Sequence, residues 1–283
     1  MHDHDRGLIF DLQALERRRL LGLMAAGGGA MLLSACGGSD SGATSTTTTT
    51  TATTMGTTGT GTTGSTSCGT TPTETNGPYP ADGSNMANGA PSNVLTTSGV
   101  VRSDIRGSFA GLSGTAAGVP VGLTVNLVNV NSACAALADY AIYLWHADAN
   151  GQYSVYDLAQ QNYLRGAQAT NASGQATFTT IFPGCYAGRY PHIHFEVYRS
   201  LATATSYVNR VLVSQFALPA EACNAVYATS GYPSGAQRFA QTSTSGDNVF
   251  GDNTSAQIAA MTPALSGTPT AGYTGSVTVG LSV

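Results

Sequence analysis

Across the middle of the chain, apolar residues come in short runs with strand-like spacing rather than every third or fourth position. Segments 121–130, 140–145, 176–181, His192–Tyr198 and 211–216 are rich in Val, Ile, Tyr, Phe and Thr, with Gly, Pro, Asn and Ser clusters between them. Each predicts a strand. One helix is expected over 219–227, with Pro219 near its first turn. No other long helical periodicity and no internal repeat is visible. Short strands punctuated in this way predict an all-β fold, an antiparallel β-sandwich of immunoglobulin or transthyretin type with long loops and little helix. Asp148-Ala149-Asn150-Gly151 and Pro183-Gly184 read as turns, which places Tyr153 just beyond one and Cys185 and Tyr186 in the other.

The pattern does not extend to the N-terminus. Residues 1–36 contain Arg17-Arg18-Arg19-Leu20-Leu21, an apolar stretch over 20–33, and Leu33-Ser34-Ala35-Cys36. That stretch is too short for a permanent membrane span. The arginines ahead of two leucines resemble a twin-arginine export signal, and Leu-Ser-Ala-Cys resembles a lipobox, whose cysteine is acylated and becomes the first mature residue. Residues 37–71 are mainly Ser, Thr and Gly, a composition that reads as a flexible tether. A single folded domain over 72–283 follows. The expected product is exported and lipid-anchored to the cell envelope, touching the membrane only through acylated Cys36.

Charged residues make up only 9% of the chain, the net charge is -4, and every basic residue is arginine. Beyond the leader the arginines are scattered, which argues against a nucleic-acid partner. Of five cysteines, four remain once Cys36 is assigned to the anchor. In an oxidising compartment an even number suggests disulfides, and the favoured pairs are Cys68 with Cys134 and Cys185 with Cys223. The second would brace the loop that carries Tyr186.

Two histidines separated by one residue on a strand share a face about 6.5–7 Å apart, so His192 and His194 can grip one metal ion. A third histidine, His146, or the carboxylate of Glu196, on the same face, could complete such a site. Tyrosine offers another route, because a strongly charged metal lowers the pKa of a coordinated phenol. Two phenolates and a hydroxide would balance Fe(III), and Tyr153 and Tyr186 stand beside turns that can aim them.

The residues from Leu144 through Trp145-His146-Ala147-Asp148-Ala149-Asn150-Gly151-Gln152 to Tyr153, then Leu164-Arg165-Gly166, then Pro183-Gly184-Cys185-Tyr186-Ala187-Gly188-Arg189-Tyr190-Pro191-His192-Ile193-His194, resemble the intradiol ring-cleavage dioxygenases. Asn76-Gly77-Pro78-Tyr79 resembles that family's N-terminal motif, although Pro80 follows where a second aromatic residue is usual. From about Gly231 onward no resemblance is seen.

The resemblance implies one Fe(III) per chain on Tyr153, Tyr186, His192 and His194. It implies an axial Tyr186 that leaves the metal to help deprotonate a catechol, Tyr153 and His192 in the equatorial plane, and an axial His194. Arg189 is expected to stabilise negative charge on the substrate, with Gln215 beside the site. The implied reaction inserts both atoms of O2 between the two hydroxylated carbons of an aromatic diol, giving a muconate-type dicarboxylate. Two other readings stand beside it: a zinc hydrolase or lyase using His146, His192 and His194, and a non-catalytic binding sandwich.

Overall fold

The structure is a computed structural model and describes residues 68–283. The expected leader and nearly all of the expected tether lie outside the described residues. Its last positions, 68–71, are tied down: Cys68 is bonded to Cys134, and Thr71 exchanges hydrogen bonds with Gly280.

In chain order the strands are β1 (Asp82–Ala87), β2 (Ala90–Asn93), β3 (Pro120–Asn129), β4 (Ala135–Ala136), β5 (Ala141–Trp145), β6 (Arg165–Ala169), β7 (Gln175–Ile181), β8 (His192–Tyr198), β9 (Arg210–Ala217), β10 (Ala264–Thr268) and β11 (Gly272–Leu281). Three short helices, α1 (Ala220–Tyr227), α2 (Gly235–Phe239) and α3 (Ser255–Ala260), lie between β9 and β10. The five expected strands and the one expected helix form, with ends shifted by a residue or so. Pro219 caps α1.

Two sheets make the sandwich. One has the order β6-β5-β8-β9, and in the other β3 is flanked by β11 on one edge and by β7 and β4 on the other. Alternation along β3 turns Val121, Leu123, Val125 and Leu127 inward. They meet Ile142 and Leu144 of β5, Ile193, Phe195 and Val197 of β8, and Phe216 of β9 in the main core. Among the named strands one pairing departs from the expected antiparallel plan, because β11 pairs with β3 in parallel. Parallel neighbours need a long crossover, and here it includes all the chain from β4 to β10.

β8 is buried over its whole length. Its second face carries His192, His194, Glu196 and Tyr198 and does not look into the sandwich. That outer face is covered by a separate apolar cluster in which Tyr143, Trp145 and Tyr198 of the sheet meet Ala81, Val94, Leu95, Val100 and Phe109 of the N-terminal segment and Tyr153 of the β5–β6 connection. The polar residues of β8 are therefore roofed by loops.

Of the two expected disulfides, Cys68–Cys134 is present with a Cα–Cα distance of 5.9 Å. Cys185 and Cys223 are instead buried free thiols, contrary to expectation. Burial pushes the Cys185 thiol up to about 12 and the Cys223 thiol well above its ordinary value. Both are thus held in the protonated form, whereas disulfide exchange proceeds through the thiolate.

Candidate metal centre

Strand register assembles the floor of the site. Arg165, Trp145, His194 and Gln215 pair in one row across β6, β5, β8 and β9. The His194 ring lies flat on the Trp145 indole, with centroids 4.9 Å apart and planes 8° apart, which fixes its orientation.

The tyrosines arrive on two loops pressed together. Asp148 Oδ1 accepts from the amides of Asn150 and Gln152 at 2.9 and 3.0 Å and closes the turn before Tyr153. Gly184 is needed there because a Cβ would lie 2.5 Å from the carbonyl oxygens of Asp148 and Ala149. Arg238 Nη1 donates to the carbonyls of Asn150 and Cys185, both at 3.1 Å, and so joins the loop of Tyr153 to that of Tyr186. Arg165 is fully buried and donates to Ser154 Oγ at 3.1 Å, Ser154 O at 2.9 Å and Pro80 O at 3.0 Å, locking the backbone beside Tyr153 to the N-terminal segment.

The four side chains converge on one point. His192 Nε2 lies 3.0 Å from His194 Nε2, 3.0 Å from Tyr186 Oη and 3.4 Å from Tyr153 Oη. Its other nitrogen, Nδ1, donates to Tyr190 O at 2.6 Å, which leaves Nε2 as the lone-pair atom. A single ring lone pair cannot hydrogen-bond three partners. A cation among the four atoms can be shared by all of them, so the donor set fits a metal ion.

Electrostatics favour the same arrangement. Burial lowers His192 to about 3 and His194 well below its usual value, and the Arg189 charge adds to both shifts. The imidazoles are thus neutral and able to donate lone pairs. Burial pushes the Tyr153 phenol well above its ordinary value and the adjacent Tyr186 adds to this, while Arg189 and Arg165 oppose it. Two phenols in the set suit a highly charged ion that can displace their protons.

The other sequence candidates lie elsewhere. His146 is buried with both nitrogens engaged, Nδ1 with Ala147 O at 2.8 Å and Nε2 with Thr180 Oγ1 at 2.6 Å, so the three-histidine zinc site does not form. Glu196 turns to Tyr198 and Arg210 rather than to the histidines. Among the described residues, no group of three or more His, Cys, Asp or Glu side chains is placed to hold a metal.

Arg189 and Gln215 do meet: Arg189 Nη2 donates to Gln215 Oε1 at 2.7 Å, and Gln215 Nε2 donates to Thr75 O at 2.8 Å. Sequence reasoning missed their neighbour Asp247, which is fully buried as a side chain and takes Arg189 Nε at 3.0 Å. It also missed Arg238. Both lie in the stretch past Gly231 that no motif marks.

A sandwich with two tyrosines and two histidines gathered on the outer face of one sheet is the arrangement expected of the intradiol ring-cleavage dioxygenases, and the solved structures agree with the fold. An intradiol ring-cleavage dioxygenase from Tetranychus urticae aligns over 75% of this chain and 94% of its own, with 22% identity and a TM-score of 0.56. A second dioxygenase structure covers the same shares at 22% identity with a TM-score of 0.57. No family model matches the sequence, and a search of curated proteins finds no match. The chain has the intradiol dioxygenase fold.

Proposed function

We propose that the chain is an intradiol dioxygenase that holds one Fe(III) on Tyr153, Tyr186, His192 and His194 and opens catechol-type rings between their hydroxylated carbons, yielding a muconate-type dicarboxylate. The observation that carries this reading is the meeting of two phenol oxygens and two imidazole nitrogens around His192 Nε2, at 3.0 to 3.4 Å. When bound, the ion supplies Lewis acidity and a template for the diol.

The chain's own residues then have separable tasks. Tyr153 is fully buried, with its ring centroid 4.7 Å from that of Tyr79, and is held as a fixed donor. Tyr186 is only half-buried and sits on a loop, where its phenolate oxygen can take a proton from a diol hydroxyl. The Arg189 guanidinium, buried beside the donors, offers fixed positive charge to a substrate ring as it becomes anionic. The N-terminal arm packs directly on the donors: at Gly77, with φ at +66°, a Cβ would come within 3.2 Å of His194 Cε1. In this reading, export and acylation at Cys36 hold the enzyme at the cell envelope.

The test is a visible absorption spectrum and O2 uptake on the iron-loaded domain. Tyrosinate bound to Fe(III) should give a broad charge-transfer band that shifts on adding catechol, with one O2 consumed per ring opened. A colourless protein with stoichiometric zinc and no O2 uptake would overturn the proposal. Incorporation of labelled fatty acid, lost in Cys36→Ala, tests the anchor.

A further inference from the structure

We infer that Asp247 is a positioning residue for ring cleavage, a carboxylate that acts through Arg189 and through the Tyr190 backbone to hold the cationic side of the site in place. This rests on the dioxygenase reading above.

The carboxylate has no exposed surface, and its two oxygens are surrounded by donors. Oδ2 accepts from Arg189 Nε at 3.0 Å and from the Tyr190 amide at 2.6 Å. Oδ1 accepts from the amides of Val249 and Phe250 at 2.8 and 3.1 Å, with Arg189 Nη2 at 3.4 Å. Two connections run from it to the site. One passes through Arg189 Nη2 to Gln215 and on to Thr75 of the arm that roofs His194. The other passes through the Tyr190 backbone, whose N–H donates to Asp247 and whose carbonyl, one peptide further on, accepts from His192 Nδ1. One side chain from the C-terminal stretch thus orients a cation and a metal-donor ring together.

A carboxylate is required by the donor count. Asparagine has almost the same shape, but one of its oxygens becomes an NH2 group. Whichever way it is turned, that group faces N–H donors: Arg189 Nε and the Tyr190 amide on one side, the Val249 and Phe250 amides on the other. It also leaves the buried guanidinium without its counter-charge. Asp247→Asn should therefore let Arg189 leave its place while changing little of the site's volume.

The experiment has two readouts. In iron-loaded protein with catechol as the probe, Asp247→Asn should lower kcat about tenfold or more with KM changed less than about threefold, since fixed charge that meets the transition state acts on kcat. In an Arg189→Ala background the same substitution should cost markedly less than it does alone, because the share that acts through Arg189 is already lost and only the hold on the Tyr190 backbone remains. In metal-free protein, nitrogen-15 NMR should show the Arg189 Nε–H of the wild type exchanging slowly with water, and exchanging fast in Asp247→Asn.

Independent, multiplying losses in the double variant overturn the inference and leave the dioxygenase reading intact. Absence of catechol turnover by wild-type protein overturns both. Should Asp247→Asn not fold, the wild type still decides: fast exchange at Arg189 Nε–H contradicts a clamped guanidinium, and slow exchange supports it.

Discussion

One face of β8 carries two polar pairs that differ in a single respect. His192 and His194 at its start, Glu196 and Tyr198 at its end, are all buried. At the far end the cluster contains its own cation: Arg210 Nη1 donates to Glu196 Oε1 at 2.9 Å and to Asp82 Oδ2 at 3.2 Å, and the Tyr198 hydroxyl donates to Glu196 Oε2 at 2.6 Å. At the near end neutral rings and phenols crowd around one lone pair with no cation among them, while the Arg189 guanidinium is paired with Asp247. The comparison separates structural polarity from functional polarity. A buried cluster that balances its own charge is part of the fold, whereas one whose donors all point at the same place is suited to an ion, as proposed above.

The sharpest way to break that comparison is to remove a donor from the near end. Substitutions that merely disturb the orientation of a metal ligand cost about 10- to 100-fold in affinity or activity. His194→Ala, which deletes a donor, should exceed that range and abolish the charge-transfer band. Iron content and absorbance after loading check this, and retention of full iron stoichiometry would place the site elsewhere.

At the far end the loss should be of stability. Arg210→Ala leaves the buried Asp82 carboxylate without its cation and the Glu196 carboxyl beside it without a donor. Breaking a buried pair costs about 3–5 kcal/mol. The Arg210 side chain is 25% exposed, so solvent discounts that figure to roughly 2 kcal/mol. Denaturant unfolding measures it, and the iron band of the folded fraction should stay as in wild type. Tyr186→Phe has a smaller effect at the near end: it keeps the ring contacts, weakens the band and slows turnover about tenfold through loss of the phenolate base. An unchanged spectrum and rate would remove Tyr186 from the site.

How far all this could be read from sequence follows from the range of each interaction. β8 was legible to the residue because alternating Ile193, Phe195 and Val197 mark one face, and the same spacing put His192 and His194 together on the other. Tyr153 and Tyr186 were not legible in that way. A tyrosine beside a turn usually packs, and only the likeness of the surrounding motif singled them out. Asp247 left no local signal at all: it stands among Ser, Thr, Gly and Asn, and its partner Arg189 is 58 residues away. The parallel pairing of β11 with β3 was hidden for the same reason, since register between chain-distant strands leaves no mark in either. The even cysteine count misled because counting carries no information about protonation or packing.

The smallest effect is also the most discriminating between the two pairs. Tyr198→Phe removes one hydroxyl that donates to Glu196 Oε2 and leaves the ring in the apolar cluster with Tyr143 and Trp145. A buried hydrogen bond to a charged group contributes about 1.5–3 kcal/mol, but the Glu196 carboxyl itself is shifted up to about 8, by burial first and then by Asp82. Near neutral pH it is therefore largely protonated and only weakly charged, and the loss should be nearer 1 kcal/mol. Unfolding measured near pH 7 gives that number. Meanwhile the iron band and the rate with catechol should match wild type, because Trp145, on which His194 rests, keeps its own contacts in β5. A change in the band on Tyr198→Phe would show that the two halves of the strand face are coupled, and the division between a self-neutralised cluster and an ion-seeking one would then fail.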